Sequence, residues 1–101
     1  MKKELIALEP IGIVIKEELF DPYQVTAYRV CKDIGIPAMT LNNILHGKRP
    51  LSSEVALKLG KYFKIDPKYL LNLQTELEVR QKERELHKEL IAIHPLDTTA
   101  A

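Results

Sequence analysis

Apolar residues fall in short helical runs separated by punctuation. Val14, Ile15 and Leu19 have the spacing of one helical face, with Lys16, Glu17 and Glu18 turned outward, so a first helix is predicted from Pro10 to Phe20, closed by Pro22. Between Thr26 and Pro50 the pattern predicts two helices joined by a tight turn. Thr26 is a good N-cap, Val30, Cys31 and Ile34 share a face, and Gly35 suits a left-handed C-cap. Pro37 fits the first turn of the next helix, where Leu41, Ile44 and Leu45 point inward and Gly47 ends it. Ala38, Met39, Thr40, Asn42 and Asn43 are left pointing away. This is the layout of a DNA-binding helix-turn-helix, whose second helix enters the major groove.

A fourth helix is predicted from a cap at Ser52 or Ser53 to Phe63, with Glu54 in its first turn and Val55, Ala56, Leu59, Tyr62 and Phe63 buried. Asp66 and Pro67 open a fifth, with Tyr69, Leu70 and Leu73 inward. From Thr75 the chain becomes helical and highly charged. Glu76–Arg80 and Glu78–Lys82 are acid-to-base pairs at i, i+4. Leu86, Leu90 and Ile93 form a stripe too thin for a second core, and Pro95 ends the segment. The fold expected is all-α: a five-helix bundle over 10–74, a charged helical extension over 75–94, and flexible ends at 1–9 and 95–101.

Composition narrows the class. At 101 residues, 46% hydrophobic and 29% charged, the chain suits one small globular domain, and a dimer interface would help at this size. The net charge of +1 is uninformative, but its distribution is not. From Gln24 to Pro50, Arg29, Lys32, Lys48 and Arg49 face Asp33 alone, a local +3, whereas 75–89 carries −1. A local basic patch is what phosphate contact needs. Cys31 is the sole cysteine, which rules out an intrachain disulfide and fits a reducing cytoplasm. Met1-Lys2-Lys3 and the LIAL after it resemble an export signal, but Glu9, Pro10 and the charges at 16–18 interrupt it, so export is not expected. No apolar run approaches a membrane span. His46, His87, His94 and Cys31 match no zinc spacing, so no metal or cofactor is expected. No nucleophile–base pairing or phosphate-cradling glycine loop points to catalysis or to a small-molecule substrate.

Beyond periodicity, residues 10 to 80 resemble the HigA-type antitoxins, or plasmid-maintenance antidote proteins, of the Cro/C1-type repressor superfamily. The matching stretches are GIVIKEELFDP (12–22), TAYRVCKDIGIP (26–37), LNNILHGKRPLS (41–52), ALKLGKYF (56–63) and NLQTELEVR (72–80). HGKRPLS together with the later NLQ is the specific part. Four positions depart from the family pattern: Ile11-Gly12 replaces a Pro-Gly pair, Cys31 an alanine, Leu71 a tryptophan and Glu78 a commoner aspartate.

The resemblance implies that Ala38, Met39, Thr40 and Asn43 face base edges, with Asn42 at the margin. Asn can pair bidentately with adenine, and Thr40 or Ala38 can meet a thymine methyl. A solvated face is the bland alternative for the two asparagines, and core gap-filling for Met39. Thr26 and Ala27 fall where a helix start meets a phosphate. Arg29, His46, Lys48 and Arg49 are phosphate candidates, although each alone would serve equally as a solvated surface charge. The implied partners are double-stranded operator DNA, a second copy of the chain and a HigB-type toxin, an mRNA-cleaving ribonuclease. Tyr69, Leu73, Leu77, Leu86 and Leu90 are the expected dimer contacts. A stand-alone phage-type repressor, or a toxin-inhibiting module that binds DNA weakly, are the competing readings.

Overall fold

The computed structural model describes residues 10–97, and every regular element among them is helical. Helix α1 consists of Ile11–Ile15, a π-helical turn over Lys16–Phe20, and a last turn over Asp21–Tyr23. It is followed by α2 (Ala27–Ile34), α3 (Ala38–Leu45), α4 (Ser53–Phe63), α5 (Pro67–Glu85) and α6 (His87–Ile91). The expectations for the ends at 1–9 and 98–101, including the resemblance to an export signal, lie outside the described residues.

The bundle closes around side chains drawn from five helices. Ile15 of α1, Val30 of α2, Leu41 and Ile44 of α3, Leu59 of α4 and Leu70 of α5 are all fully buried. Burial of each such side chain is worth about 1.5–3 kcal/mol. Phe20 stacks on Phe63 with ring centroids 5.9 Å apart, which ties α1 to the end of α4. The expected caps are formed. Thr26 Oγ1 accepts from the Arg29 N–H at 3.1 Å, Ser52 Oγ from Val55 at 3.2 Å, and Asp66 Oδ1 from Lys68 at 2.9 Å. Gly35 closes α2 at φ 76°, a conformation open to glycine at little cost.

Several expectations are corrected. Pro22 does not end α1, which continues to Tyr23 before Gln24 turns left-handed at φ 55°. The π-turn explains this. The Asp21 N–H reaches back five residues to the Lys16 carbonyl. The widened turn moves the carbonyls away from where a proline ring normally collides with them. It also lets Leu19 and Phe20 both face inward, while Val14 is only half-buried. Tyr69, expected inward, is 50% exposed; Leu70 takes the core position and the Tyr69 hydroxyl meets Glu18 at 3.3 Å.

The charged segment also differs in detail. Glu76–Arg80 forms at 2.8 Å, but Lys82 pairs with Glu85 at 3.3 Å rather than with Glu78. Helix α5 runs unbroken through residue 75 and stops at Leu86, whose φ −100° and ψ 15° separate it from α6. The extension is therefore the outer half of α5 followed by a short sixth helix.

Candidate nucleic-acid interface

Helix α3 is held from behind by glycine. A Cβ added at Gly12 would lie 2.5 Å from the Ile44 carbonyl oxygen and 2.3 Å from that of Leu45. Helix α1 thus touches the backbone of the last turn of α3, an approach any side chain would prevent. Leu41 and Ile44 anchor the inner face at zero exposure. On the outer face Ala38, Met39 and Asn42 are exposed, and Thr40 and Asn43 are half-buried. Met39 is 73% exposed, so it fills no gap in the core. Its flexible, polarisable side chain stands beside two amides, free to adapt to whatever surface meets this face.

The end of α3 is wound into the basic loop. The Asn43 carbonyl accepts from Lys48 N–H at 2.8 Å and Arg49 N–H at 3.3 Å, and Gly47 makes the turn possible at φ 73°. His46 Nδ1 lies 2.8 Å from the Asn42 carbonyl. A carbonyl only accepts, so Nδ1 is the donor, and Nε2 has no hydrogen bond among the described residues. Lys48 and Arg49 are exposed and have no ion-pair partner among the described residues.

Arg29 differs. Its Nε meets Asp33 Oδ2 at 3.3 Å, and the Tyr62 hydroxyl donates to the same oxygen. That hydroxyl, helped by Arg29, lowers the Asp33 carboxyl from its ordinary range, and Asp33 in turn raises the Tyr62 phenol. Arg29 therefore stands at the start of α2 with a carboxylate already beside it. Thr26 is exposed and Ala27 half-buried at the same helix start. Cys31 is buried, and burial raises its thiol.

One residue of this region escaped the sequence reading. Gln74 Oε1 accepts from the Leu51 N–H at 2.7 Å and its Nε2 donates to the Leu51 carbonyl at 3.1 Å. The NLQ motif had marked the glutamine without a role; a partner 23 positions away leaves no local trace. Beside this clasp lies a groove of about 650 Å³, lined by Lys48, Arg49 and Pro50 on one side and Gln74, Leu77 and Gln81 on the other.

The residues expected at a dimer contact fall in separate places. Tyr69 lies beside α1, Leu73 packs on the core, and Leu77 lines the groove next to the basic loop. Leu86 and Leu90 line a second groove of about 350 Å³ with Val79 and Glu83. Among the described residues no His, Cys, Asp or Glu side chains gather as a metal site. No helix there is long and apolar enough to cross a membrane.

No protein-family model matches the chain. Virulence-associated protein I of Dichelobacter nodosus is 30% identical over 99 residues, which span 98% of this chain and 90% of that protein. The solved addiction module antidote protein of a HigA family from Coxiella burnetii is 27% identical, with a TM-score of 0.78 over 87% of this chain and 97% of that one. Antitoxin HigA of Pseudomonas aeruginosa, solved with the higBA promoter, shares the fold at a TM-score of 0.79 and 24% identity, over 87% of this chain and 97% of that one. By its sequence relatives and by the helix-turn-helix they share, the chain belongs to the HigA-type antitoxin family of the Cro/C1-type superfamily.

Proposed function

We propose that the chain is a DNA-binding antitoxin that represses its own operon and neutralises a HigB-type ribonuclease. It acts on DNA as a homodimer, one α3 per half-site of a two-fold symmetric operator, with half-sites about one helical turn apart. Repression follows by occlusion of the promoter. The observation that carries this reading is the outer face of α3. Ala38, Met39 and Asn42, exposed, and Thr40 and Asn43, half-buried, lie on it, and it continues into the Lys48–Arg49 loop, whose two cations have no ion pair among the described residues. Amide and methyl groups there suit base edges, and the two cations suit the flanking phosphates. Thr26, Ala27, Arg29 and His46 extend the phosphate footprint on either side. The Pseudomonas aeruginosa antitoxin solved with the higBA promoter has the same fold, which supports DNA as a partner.

The apolar surface of the extension favours a second activity on the same chain. Leu90, Ile91 and Ile93 are exposed together, too many for a helix end that meets only water. They are the surface we assign to a protein partner, a second copy or the toxin. The role proposed here is one of binding, and no catalytic step is assigned to the chain.

Fluorescence anisotropy on DNA from the chain's own promoter region and on shuffled DNA, at about 150 mM salt, tests the reading. The expected preference is about 10³-fold or more. Equal and weak binding to both DNAs would leave only the inhibitor role.

A further inference from the structure

The basic loop is fixed at both ends, by two different helices. At its start the Asn43 carbonyl of α3 holds the Lys48 and Arg49 N–H groups. Beyond Arg49 comes Pro50, which has no N–H to donate. Then comes Leu51, whose N–H and carbonyl both bond to the Gln74 side chain and to nothing else among the described residues. The Leu51 side chain is itself buried, so its backbone groups have little access to water as substitutes. Gln74 thus imitates a neighbouring peptide group, accepting and donating at once, and joins the loop to the middle of α5.

We propose that Gln74 is a positioning residue for DNA binding: by clasping Leu51 it holds Lys48 and Arg49 where they meet the phosphates beside α3. The proposal rests on the DNA-binding reading above and adds to it a residue that itself touches no DNA. Long cations lose conformational freedom on binding, and a loop already fixed in the bound geometry has less to lose. Without the clasp the Leu51 backbone loses its hydrogen-bonded tie to α5, and the chain from Lys48 to Leu51 keeps Asn43 at one end and the buried Leu51 side chain and the Ser52 cap at the other. The two phosphate contacts are then the interactions that weaken, while the bases read by α3 are still read.

The test is a salt titration of binding by the full chain, with the Gln74→Leu variant, which keeps the size of the side chain and removes both hydrogen bonds. Binding to promoter and shuffled DNA should weaken by one common factor, on the order of ten-fold. The slope of log K against log salt should fall by up to about 1.8, the value for two lost phosphate contacts. Leu70→Val, a core change on the same helix, is the control for a merely structural role. It should lower the thermal midpoint and leave the slope unchanged when binding is measured well below that midpoint. A double-mutant cycle of Gln74→Leu with Lys48→Ala and Arg49→Ala gives a second readout. Removing the cations should cost much less in the Gln74→Leu background. An unchanged slope with additive losses would overturn the proposal and leave the DNA reading standing. Absence of salt-dependent binding by the unsubstituted chain would overturn both, and is recognised before any variant is made.

Discussion

The bundle and the extension are both helical, but for different reasons. In the bundle, each of the five helices contributes at least one side chain that is wholly buried, and three carry side-chain N-caps. Beyond Leu77 no described side chain is fully buried; the outer half of α5 carries ion pairs on its surface, and α6 has no side-chain cap. Exposed pairs of this kind contribute about 0.3–0.5 kcal/mol each, far less than one buried leucine. The bundle encloses the buried core; the extension leaves Leu90, Ile91 and Ile93 uncovered. The difference separates the part to which DNA contact is assigned above from the part whose exposed apolar side chains are proposed to meet a protein.

The sharpest way to break this comparison is a matched pair of truncations. Leu41→Ala should cost about 2–5 kcal/mol in urea unfolding, because it opens a cavity under α3. Leu90→Ala should change stability by less than about 0.5 kcal/mol. Equal costs would mean the extension is part of the core. Next in size is Gly12→Ala, expected to cost about 1–3 kcal/mol, because the new methyl meets backbone oxygen of α3 rather than a yielding side chain. The same substitution at Gly35, where nothing lies within 4 Å, should cost only the strain of its positive φ.

Leu86→Glu with Leu90→Glu sharpens the other half. Its expected effect on stability is small, but light scattering should show the dimer mass lost if the distal surface carries the contact. An unchanged dimer mass would return the contact to Tyr69, Leu73 and Leu77.

The smallest effect concerns acid. The Asp33 carboxyl is lowered in the fold, so its contribution is complete above its ordinary value of 3.8 and is lost as pH falls through the lower folded value. Thermal midpoints followed from neutral to acid should therefore fall less steeply for Asp33→Asn than for the parent chain.

What was legible in the sequence was local. Thr26, Gly35, Ser52 and Asp66 act within a turn of their own position, so the helix starts and stops around the helix-turn-helix could be read directly. Cys31 and the inward residues of α3 followed from periodicity alone. The misses depend on distant partners. Pro22 is tolerated because α1 widens, and the widening serves the packing of Leu19 and Phe20. Tyr69 turns outward because Leu70 fits the core and Glu18 meets its hydroxyl. The break at Leu86 has no proline or glycine to announce it, and Gln74 finds its partner in another helix's approach loop. At the candidate interface, periodicity left the outer face of α3 pointing away, the charge distribution marked Lys48 and Arg49, and the family resemblance implied the roles of both. It did not reveal that Arg29 already faces Asp33, or that the loop is clasped from α5.

The central claim is that α3 reads bases while the adjoining loop holds phosphates. The direct measurement is anisotropy of Asn43→Ala and Lys48→Ala on promoter and shuffled DNA across a salt series. Asn43→Ala should lose about 1–3 kcal/mol on the promoter alone, at one base position, with its salt slope intact. Lys48→Ala should weaken both DNAs alike and lower the slope by about one. Equal losses on both DNAs for Asn43→Ala would contradict the account, because α3 would then be a surface that touches DNA without reading it.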